Sequence, residues 1–299
     1  MVTVTSSERA QRFWSFAGEI RESAGAAWGR VPPPAMILVG IVSVQFGASV
    51  AKQLFAVTGP IGAVALRIVF SAGIMLAVLR PSLRVGRQAW PAIICYGVVL
   101  AGMNMLLYQA ISRIPLGVAV TIEFLGPLTI ALIGARRLVH AGWALLAALG
   151  VFLLAEGGRI DWLGVVFALG AGVCWGGYIL AGSALGKRTS GHDGLALAMA
   201  VSAVLALPVG IVQGGSGIFS WTALLAGLGV ALLSSVLPYT LELEALRRIP
   251  PRVFGVLMSL EPAVAALAGL IVLGEQLGWR QWIAVGCVVV ASIGSTRSR

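Results

Sequence analysis

Charged residues are scarce in this sequence: Asp, Glu, Lys and Arg make up 11% of its 299 residues, whereas 59% are hydrophobic. So few charges cannot cover the surface of a water-soluble domain with this much apolar sequence. The apolar residues come in runs of about twenty, the helix length that crosses roughly 30 Å of hydrocarbon. The sequence therefore predicts an all-α membrane protein with several spans.

Cysteine and catalytic motifs are also scarce. The three cysteines lie inside apolar runs without CxxC spacing, which indicates small core residues rather than a disulfide or a metal site: Cys95, Cys174 and Cys287. The sequence contains no HExxH or GxSxG motif, and the loops are too short for a soluble catalytic domain. An enzyme is disfavoured, and no cofactor or metal is expected.

Glycine, proline and arginine clusters divide the apolar sequence into ten candidate membrane helices. The predicted spans cover residues 35–57, 61–80, 91–112, 115–135, 141–156, 162–185, 193–213, 221–246, 252–274 and 279–296. Their boundaries are set to within about three residues.

Residues 1–34 form a separate N-terminal tail, in which charged residues interrupt any apolar segment and so argue against a cleavable signal peptide. Phe13, Phe16 and Ile20 are at helical spacing, which favours a short interfacial helix. A disordered tail fits the composition equally well.

The distribution of basic residues predicts the orientation. With the N-terminus inside, 16 of the 21 Lys and Arg residues lie in cytoplasmic segments and three in outer loops, while Lys52 and Arg67 lie within spans. This bias follows the positive-inside rule, so both termini are predicted to be cytoplasmic. The net charge of +10 then faces anionic lipid rather than nucleic acid.

Two stretches of the sequence match at an offset of 135 residues. Arg113-Ile114-Pro115 recurs as Arg248-Ile249-Pro250, each between two apolar spans and each followed twelve residues later by a proline. The two copies would face opposite sides of the membrane, which predicts inverted five-helix repeats over residues 35–156 and 162–296. Inverted repeats are typical of alternating-access carriers with a midplane site. Chance similarity between small-residue-rich helices is the competing interpretation.

Several motifs carry a resemblance to a known family: residues 43–52 (SVQFGASVAK), 65–67 (ALR), 102–104 (GMN), 123–127 (EFLGP), 237–239 (LPY) and 257–262 (LMSLEP). In them the chain resembles EamA-type members of the drug/metabolite transporter superfamily, and within these it is most similar to bacterial threonine and homoserine exporters. The resemblance implies ten helices, a central cavity and export of small amino acids across the inner membrane, driven by the proton gradient.

Two carboxylates are predicted near the membrane midplane. Glu123 lies about eight residues into its span and Glu261 about nine, at roughly 1.5 Å per residue. Ionisable groups at that depth are functional candidates by default. Glu123 is the candidate for binding a substrate ammonium group or the coupling proton. The alternative is a packing carboxylate paired with Lys52 or Arg67, and Glu261 has cavity and structural interpretations of equal weight.

The two cations within spans, Lys52 and Arg67, are predicted in the outer third of spans one and two. They could bind a substrate carboxylate, for which the two-pronged guanidinium is better suited. They could equally extend to the interface or neutralise Glu123.

Polar and aromatic residues are candidates for lining the pocket: Gln45, Asn104, Tyr108, Trp175, Tyr178 and Tyr239. Amides that bridge helices and aromatic anchors at span ends are the competing interpretations. Glu242 and Glu244 lie near the cytoplasmic end of span eight and are expected to pair with Arg247 and Arg248.

Other transport functions stay open on the sequence alone. A polar chamber fits a passive amino-acid pore, and the same superfamily includes exporters of other metabolites and drugs. The oligomeric state is not indicated by any pattern in the sequence.

Overall fold

The computed structural model describes residues 31–83, 85–132, 138–156, 161–189, 193–246, 248–249 and 251–297. These residues are helical, without a β-strand among them. The α-helices are α1 (Pro33–Gln53), α2 (Phe55–Leu79), α3 (Trp90–Ile111), α4 (Leu116–Glu123), α5 (Leu125–Leu132), α6 (Leu138–Glu156), α7 (Trp162–Gly186), α8 (Asp193–Gly214), α9 (Trp221–Ala231), α10 (Leu237–Leu246), α11 (Pro251–Met258), α12 (Glu261–Leu273) and α13 (Trp279–Arg297). A π-helical turn, Leu232–Val236, joins α9 to α10.

Within the described residues, seven helical segments are long and apolar enough to cross a membrane: Pro33–Gln53, Phe55–Leu79, Trp90–Ile111, Trp162–Gly186, Asp193–Phe219, Trp221–Glu242 and Val253–Leu273. A shorter apolar helix covers Leu116–Ile130. The prediction of an all-α, multi-pass membrane protein is therefore confirmed. Each of the ten predicted spans overlaps a described helix, but the count of ten crossings stays a prediction.

Two of the predicted spans are interrupted near their middle. The fourth is divided at Phe124, between α4 and α5, and the ninth at residues 259–260, between α11 and α12. A proline follows each interruption, and Pro127 and Pro262 cannot donate to the carbonyl four residues earlier. The interruptions match at the 135-residue offset found in the sequence.

The predicted break between spans one and two is a kink inside a helix. Helix α1 ends at Gln53 and α2 begins at Phe55, with Gly59 at φ +65° inside it. A residue with a side chain rarely adopts that backbone conformation, so a glycine is required there. Pro60 follows, and the two residues change the direction of the chain.

The helices pack in pairs that correspond between the two halves of the chain. Helices α2 and α8 pack against each other, as do α6 and α13, and α4 and α12. Helix α3 packs on α7 and α8, while α10 packs on α1 and α9 on α2. Helix α7 packs on α4 and α5, while α1 packs on α11 and α12. The core lies where these helices meet.

The remaining predictions have mixed outcomes. Cys95 is exposed and is not a core residue, whereas Cys174 and Cys287 are half-buried. The interfacial helix predicted at residues 13–20 lies outside the described residues.

Candidate functional site

Six of the predicted site residues are buried inside the helix bundle: Asn104 and Tyr108 on α3, and four others that each lie on a different helix. Gln45 on α1, Arg67 on α2, Glu123 on α4 and Glu261 on α12 are 2%, 6%, 4% and 8% exposed. Burial of three ionisable groups inside a membrane is costly unless they are paired or functional. The four side chains define the central polar site.

Arg67 is held by hydrogen bonds from two other helical segments. Its Nε donates to Ser235 Oγ at 3.1 Å, its Nη1 to the Tyr108 hydroxyl at 3.4 Å and its Nη2 to the Ser234 carbonyl oxygen at 2.8 Å. The Tyr239 hydroxyl also interacts with the guanidinium group. Arg67 therefore points into the bundle and does not extend to the interface.

The π-helical turn supplies two of the three acceptors that hold Arg67. A π-turn shifts the backbone register, and such turns are frequent at functional sites. Its Leu233 carbonyl oxygen accepts from Ser43 Oγ at 2.6 Å, and Ser234 Oγ donates to the Val44 carbonyl oxygen at 3.4 Å. The turn thus fixes α1 and α2 against the second half of the chain.

Gln45 and Glu261 join α1 to the start of α12. Gln45 Nε2 donates to Glu261 Oε1 at 3.1 Å. The other polar atom of each side chain, Gln45 Oε1 and Glu261 Oε2, is buried without a hydrogen-bond partner among the described residues. Buried polar atoms are normally paired, so these two need an explanation.

Glu123 ends α4, directly before the interruption. Its side chain makes no hydrogen bond or ion pair with another residue that the structure describes. It interacts electrostatically with Glu261, which repels it, and with Arg67, which attracts it. The ring of Phe124 packs edge-on against Trp175 on α7, at 5.5 Å between centroids.

The predicted tyrosines and Asn104 make contacts of different kinds. Tyr108 is fully buried beside Phe55, and the rings of Tyr96 and Tyr178 lie 4.7 Å apart. Asn104 is buried, and its Nδ2 donates to the Leu100 carbonyl oxygen of its own helix. Asn104 therefore makes a local bond rather than one between helices.

Lys52 is paired away from the central site. Its Nζ lies 2.6 Å from Glu275 Oε1 and donates to the Ile114 carbonyl oxygen at 3.4 Å. Glu275 Oε2 accepts from the Leu116 amide at 2.8 Å, at the start of α4. We call these contacts the clamp. The suggested pairing of Lys52 with Glu123 is therefore wrong.

The sequence-based expectation for Glu242 and Glu244 holds for Glu244, which pairs with Arg248 one helical turn away. Arg247 lies outside the described residues; Glu242 interacts electrostatically with Glu261 on α12 and with Tyr239 on its own helix. Sequence reasoning missed Glu242 as a site residue. Its spacing of three from Tyr239 puts both on one face of α10, which is the signal that could have found it.

This architecture defines a class. A bundle of membrane-crossing helices that buries an arginine and two carboxylates is typical of a protein that moves a charged or zwitterionic solute across a membrane.

Comparison with known proteins narrows the class. The chain is 43% identical to the threonine/homoserine exporter RhtA of Escherichia coli over 269 residues, which cover 88% of this chain and 91% of the relative. RhtA of Salmonella typhimurium matches to the same extent. An uncharacterized transporter of Bacillus subtilis, YwfM, is 28% identical over 77% of this chain and 81% of its own.

Residues 162–297 match the model of the EamA-like transporter family. The chain belongs to this family, as its sequence motifs suggested. It is a transporter and not an enzyme. A solved crystal structure of a protein only 20% identical has a TM-score of 0.60, covering 88% of this chain and 98% of its own, and so shares the fold.

Proposed function

We propose that the protein exports threonine, homoserine and similar small amino acids across the bacterial inner membrane, with both termini in the cytoplasm. The observation that carries this proposal is the 43% identity to threonine/homoserine exporters, which extends over 91% of their length. Export occurs by alternating access and is driven by the proton gradient.

The charges of the central polar site suit a zwitterion. Three of the five N–H groups of Arg67 donate to Ser234, Ser235 and Tyr108, and the Tyr239 hydroxyl also interacts with the guanidinium group, which leaves an N–H group for a substrate carboxylate. Glu123, without a partner among the described residues, is the acceptor for the substrate ammonium group. Neighbouring hydroxyl groups, including that of Tyr239, offer hydrogen bonds to a hydroxylated side chain.

The packing pattern supports two inverted repeats, residues 35–156 and 162–296. When each helix is replaced by its counterpart in the other half, the α3–α7 contact becomes the α10–α1 contact, and the α3–α8 contact becomes the α9–α2 contact. The interruptions after Glu123 and before Glu261 correspond in the same way. Interrupted helices at a repeat interface are typical of carriers that expose one site alternately to either side.

Counterflow tests this function. Purified protein in liposomes preloaded with unlabelled threonine is expected to accumulate external labelled threonine, and homoserine is expected to compete. A pore would equilibrate the label without a transient overshoot. Preference for hydrophobic cations over amino acids would instead assign the protein to drug export. Uphill movement that collapses with an uncoupler tests the proton coupling.

Glu123→Gln is expected to raise the KM for threonine roughly tenfold or more in counterflow, because a charge-assisted bond to the ammonium group contributes about 1.5–3 kcal/mol. The neutral amide keeps the size of the carboxylate and cannot supply that attraction. Glu244→Gln is the matched control, since Glu244 pairs with Arg248 instead of facing the site. An unchanged KM in Glu123→Gln would contradict the ammonium-binding role.

We expect the clamp to hold the outer side of the protein closed. It connects α1 and the start of α4 to the loop after α12, all on the predicted outer side. Glu275→Gln removes the ionic attraction and is expected to speed reaction of Cys174 with an external, membrane-impermeant thiol reagent about fivefold, for about 1 kcal/mol of lost attraction. Cys174 reports on the site because it interacts electrostatically with Glu123.

The labelling is done with Cys95→Ser and Cys287→Ser in every sample, so that Cys174 alone reacts. Asp161→Asn is the control, because it breaks the exposed Arg113–Asp161 pair on the same side while asparagine keeps the cap of α7. Equal labelling rates in the two variants would mean that the clamp does not hold this side closed.

A further inference from the structure

Gln45 and Glu261 each leave one buried oxygen unpartnered, and the two oxygens belong to side chains already joined by one hydrogen bond. Gln45 Nε2 donates to Glu261 Oε1 at 3.1 Å, while Gln45 Oε1 and Glu261 Oε2 have no partner among the described residues. Both side chains are more than nine-tenths buried. Two acceptor oxygens cannot bond to each other, so the pair is incomplete as an amide and an ionised carboxylate.

A single proton completes the pair. A carboxylic acid and a primary amide form a cyclic pair in which the amide N–H donates to one carboxyl oxygen and the acid O–H donates to the amide oxygen. Placed on Glu261 Oε2, the proton makes that atom a donor and gives Gln45 Oε1 the hydrogen bond that it lacks. We propose that Glu261 and Gln45 form a proton-binding site, in which Glu261 is protonated in this conformation.

The surroundings of Glu261 favour the neutral acid. The titratable and charged groups near it are Glu123 on α4, Glu242 and Tyr239 on α10, Arg67 on α2 and Lys52 on α1. Glu123, Glu242 and Glu261 repel one another when ionised, so the three carboxyl groups do not all carry a charge at once. Of the two cations, Arg67 interacts with Glu123, and Lys52 is bound to Glu275. On the α13 side the nearest polar contact is neutral, a hydrogen bond between Ser259 and Ser292. A buried charge without a cation is strongly unfavourable.

Ammonium binding and proton binding, which the sequence analysis left to Glu123 alone, thus fall to two different carboxyl groups. Glu123 takes the substrate ammonium group, and Glu261 takes the proton. The link between this proton and transport rests on the proposed function, whereas the protonation of Glu261 does not. Release of the proton requires the contact between α1 and α12 to open. The change between inward-facing and outward-facing states of a carrier would open it.

Infrared spectroscopy of the purified protein in liposomes at neutral pH tests the protonation directly. The wild type is expected to show the carbonyl-stretch band of a protonated carboxylic acid, with a shift in heavy water. In difference spectra against the wild type, Glu261→Gln is expected to lose one component of this band, and Glu123→Gln is expected to keep that component. Absence of the band in the wild type, or an unchanged band in Glu261→Gln, would overturn the proposal.

Glu261→Gln should fold, because the new amide donates to Gln45 Oε1 and accepts from Gln45 Nε2, as the protonated acid does. If this variant cannot be purified, Gln45→Met decides. It removes the acceptor of the acid proton, so the band must shift to the frequency of a more weakly bonded acid, and an unchanged band would refute the pair.

Transport measurements test whether this proton drives export. Glu261→Gln is expected to retain threonine counterflow at a rate that no longer depends on pH and to lose proton-driven uphill movement. Counterflow that keeps the wild-type pH profile would overturn the coupling role of Glu261. Absence of threonine counterflow in the wild type would contradict the proposed function and leave the infrared result to decide the protonation of Glu261.

Discussion

Arg67→Lys is expected to lower threonine counterflow by about a hundredfold or more, although the substitution keeps the positive charge. The guanidinium group of Arg67 bonds at once to Ser235 Oγ, the Ser234 carbonyl oxygen and the Tyr108 hydroxyl. Lysine has a single ammonium group and cannot reach these acceptors in the fork geometry while also holding a carboxylate. Loss of two charge-assisted bonds, at about 1.5 kcal/mol each, corresponds to about a hundredfold.

Arg67→Leu separates the structural part of this role from the transport part. It removes the cation that interacts with Glu123 and leaves a buried carboxylate without compensation, which costs roughly 3–5 kcal/mol. We expect a clearly lower thermal unfolding midpoint in detergent for Arg67→Leu and a smaller decrease for Arg67→Lys. Arg113→Lys, at an exposed ion pair with Asp161, is the control for both assays. Wild-type counterflow in Arg67→Lys would show that the fork has no role in binding.

The apolar segments of this fold were predictable from the sequence, because their signal is local. A run of about twenty apolar residues bounded by Gly, Pro or Arg has one stable arrangement in hydrocarbon, a helix with its backbone groups paired internally. The predicted spans therefore overlap the helices. The kink at Gly59 was placed correctly but assigned as a loop, since a glycine followed by a proline is equally typical of either.

The π-turn could not be predicted in the same way. The sequence Leu-Leu-Ser-Ser-Val at Leu232–Val236 has no proline or glycine to mark a change of helix type. The turn instead accompanies hydrogen bonds to Arg67, Ser43 and Val44, which come from distant parts of the chain. A single sequence contains no signal for contacts of this kind.

In the candidate site, too, the burial of side chains was predictable from the sequence, whereas their partners were not. Depth within a span placed Glu123 and Glu261 near the midplane, and both are below a tenth exposed. Arg67, predicted in the outer third of its span, is buried to the same degree. Their partners depend on which helices meet. Lys52 was left without its partner because Glu275 lies in a segment predicted to be a loop, 223 residues away in sequence. Glu242 was predicted to pair with an arginine because arginines lie nearby in the sequence. The helix face that it shares with Tyr239 was the better indication of where its side chain lies.

Gly126→Val is expected to prevent recovery of folded protein. Helices α5 and α7 cross so closely that a Cβ at Gly126 would clash with the Gly172 carbonyl oxygen, and a Cβ at Gly172 would lie 2.7 Å from the Glu123 carbonyl oxygen. Both obstacles are backbone atoms, which cannot turn aside as a flexible side chain can. Overpacking costs about 1–3 kcal/mol where side chains adjust, so a larger loss is expected here. The measurement is the yield of monodisperse protein by size-exclusion chromatography.

Gly286→Val is the matched control, because a Cβ at Gly286 on α13 meets nothing within 4 Å and should leave the yield unchanged. The smaller substitution Gly126→Ala tests what the close crossing does for the site. To admit one methyl group, α5 must move away from α7 and carry with it the end of α4, where Glu123 lies. Transport should therefore fall more steeply than the unfolding midpoint in Gly126→Ala. A parallel fall of both quantities would mean that the crossing stabilises the bundle without positioning Glu123.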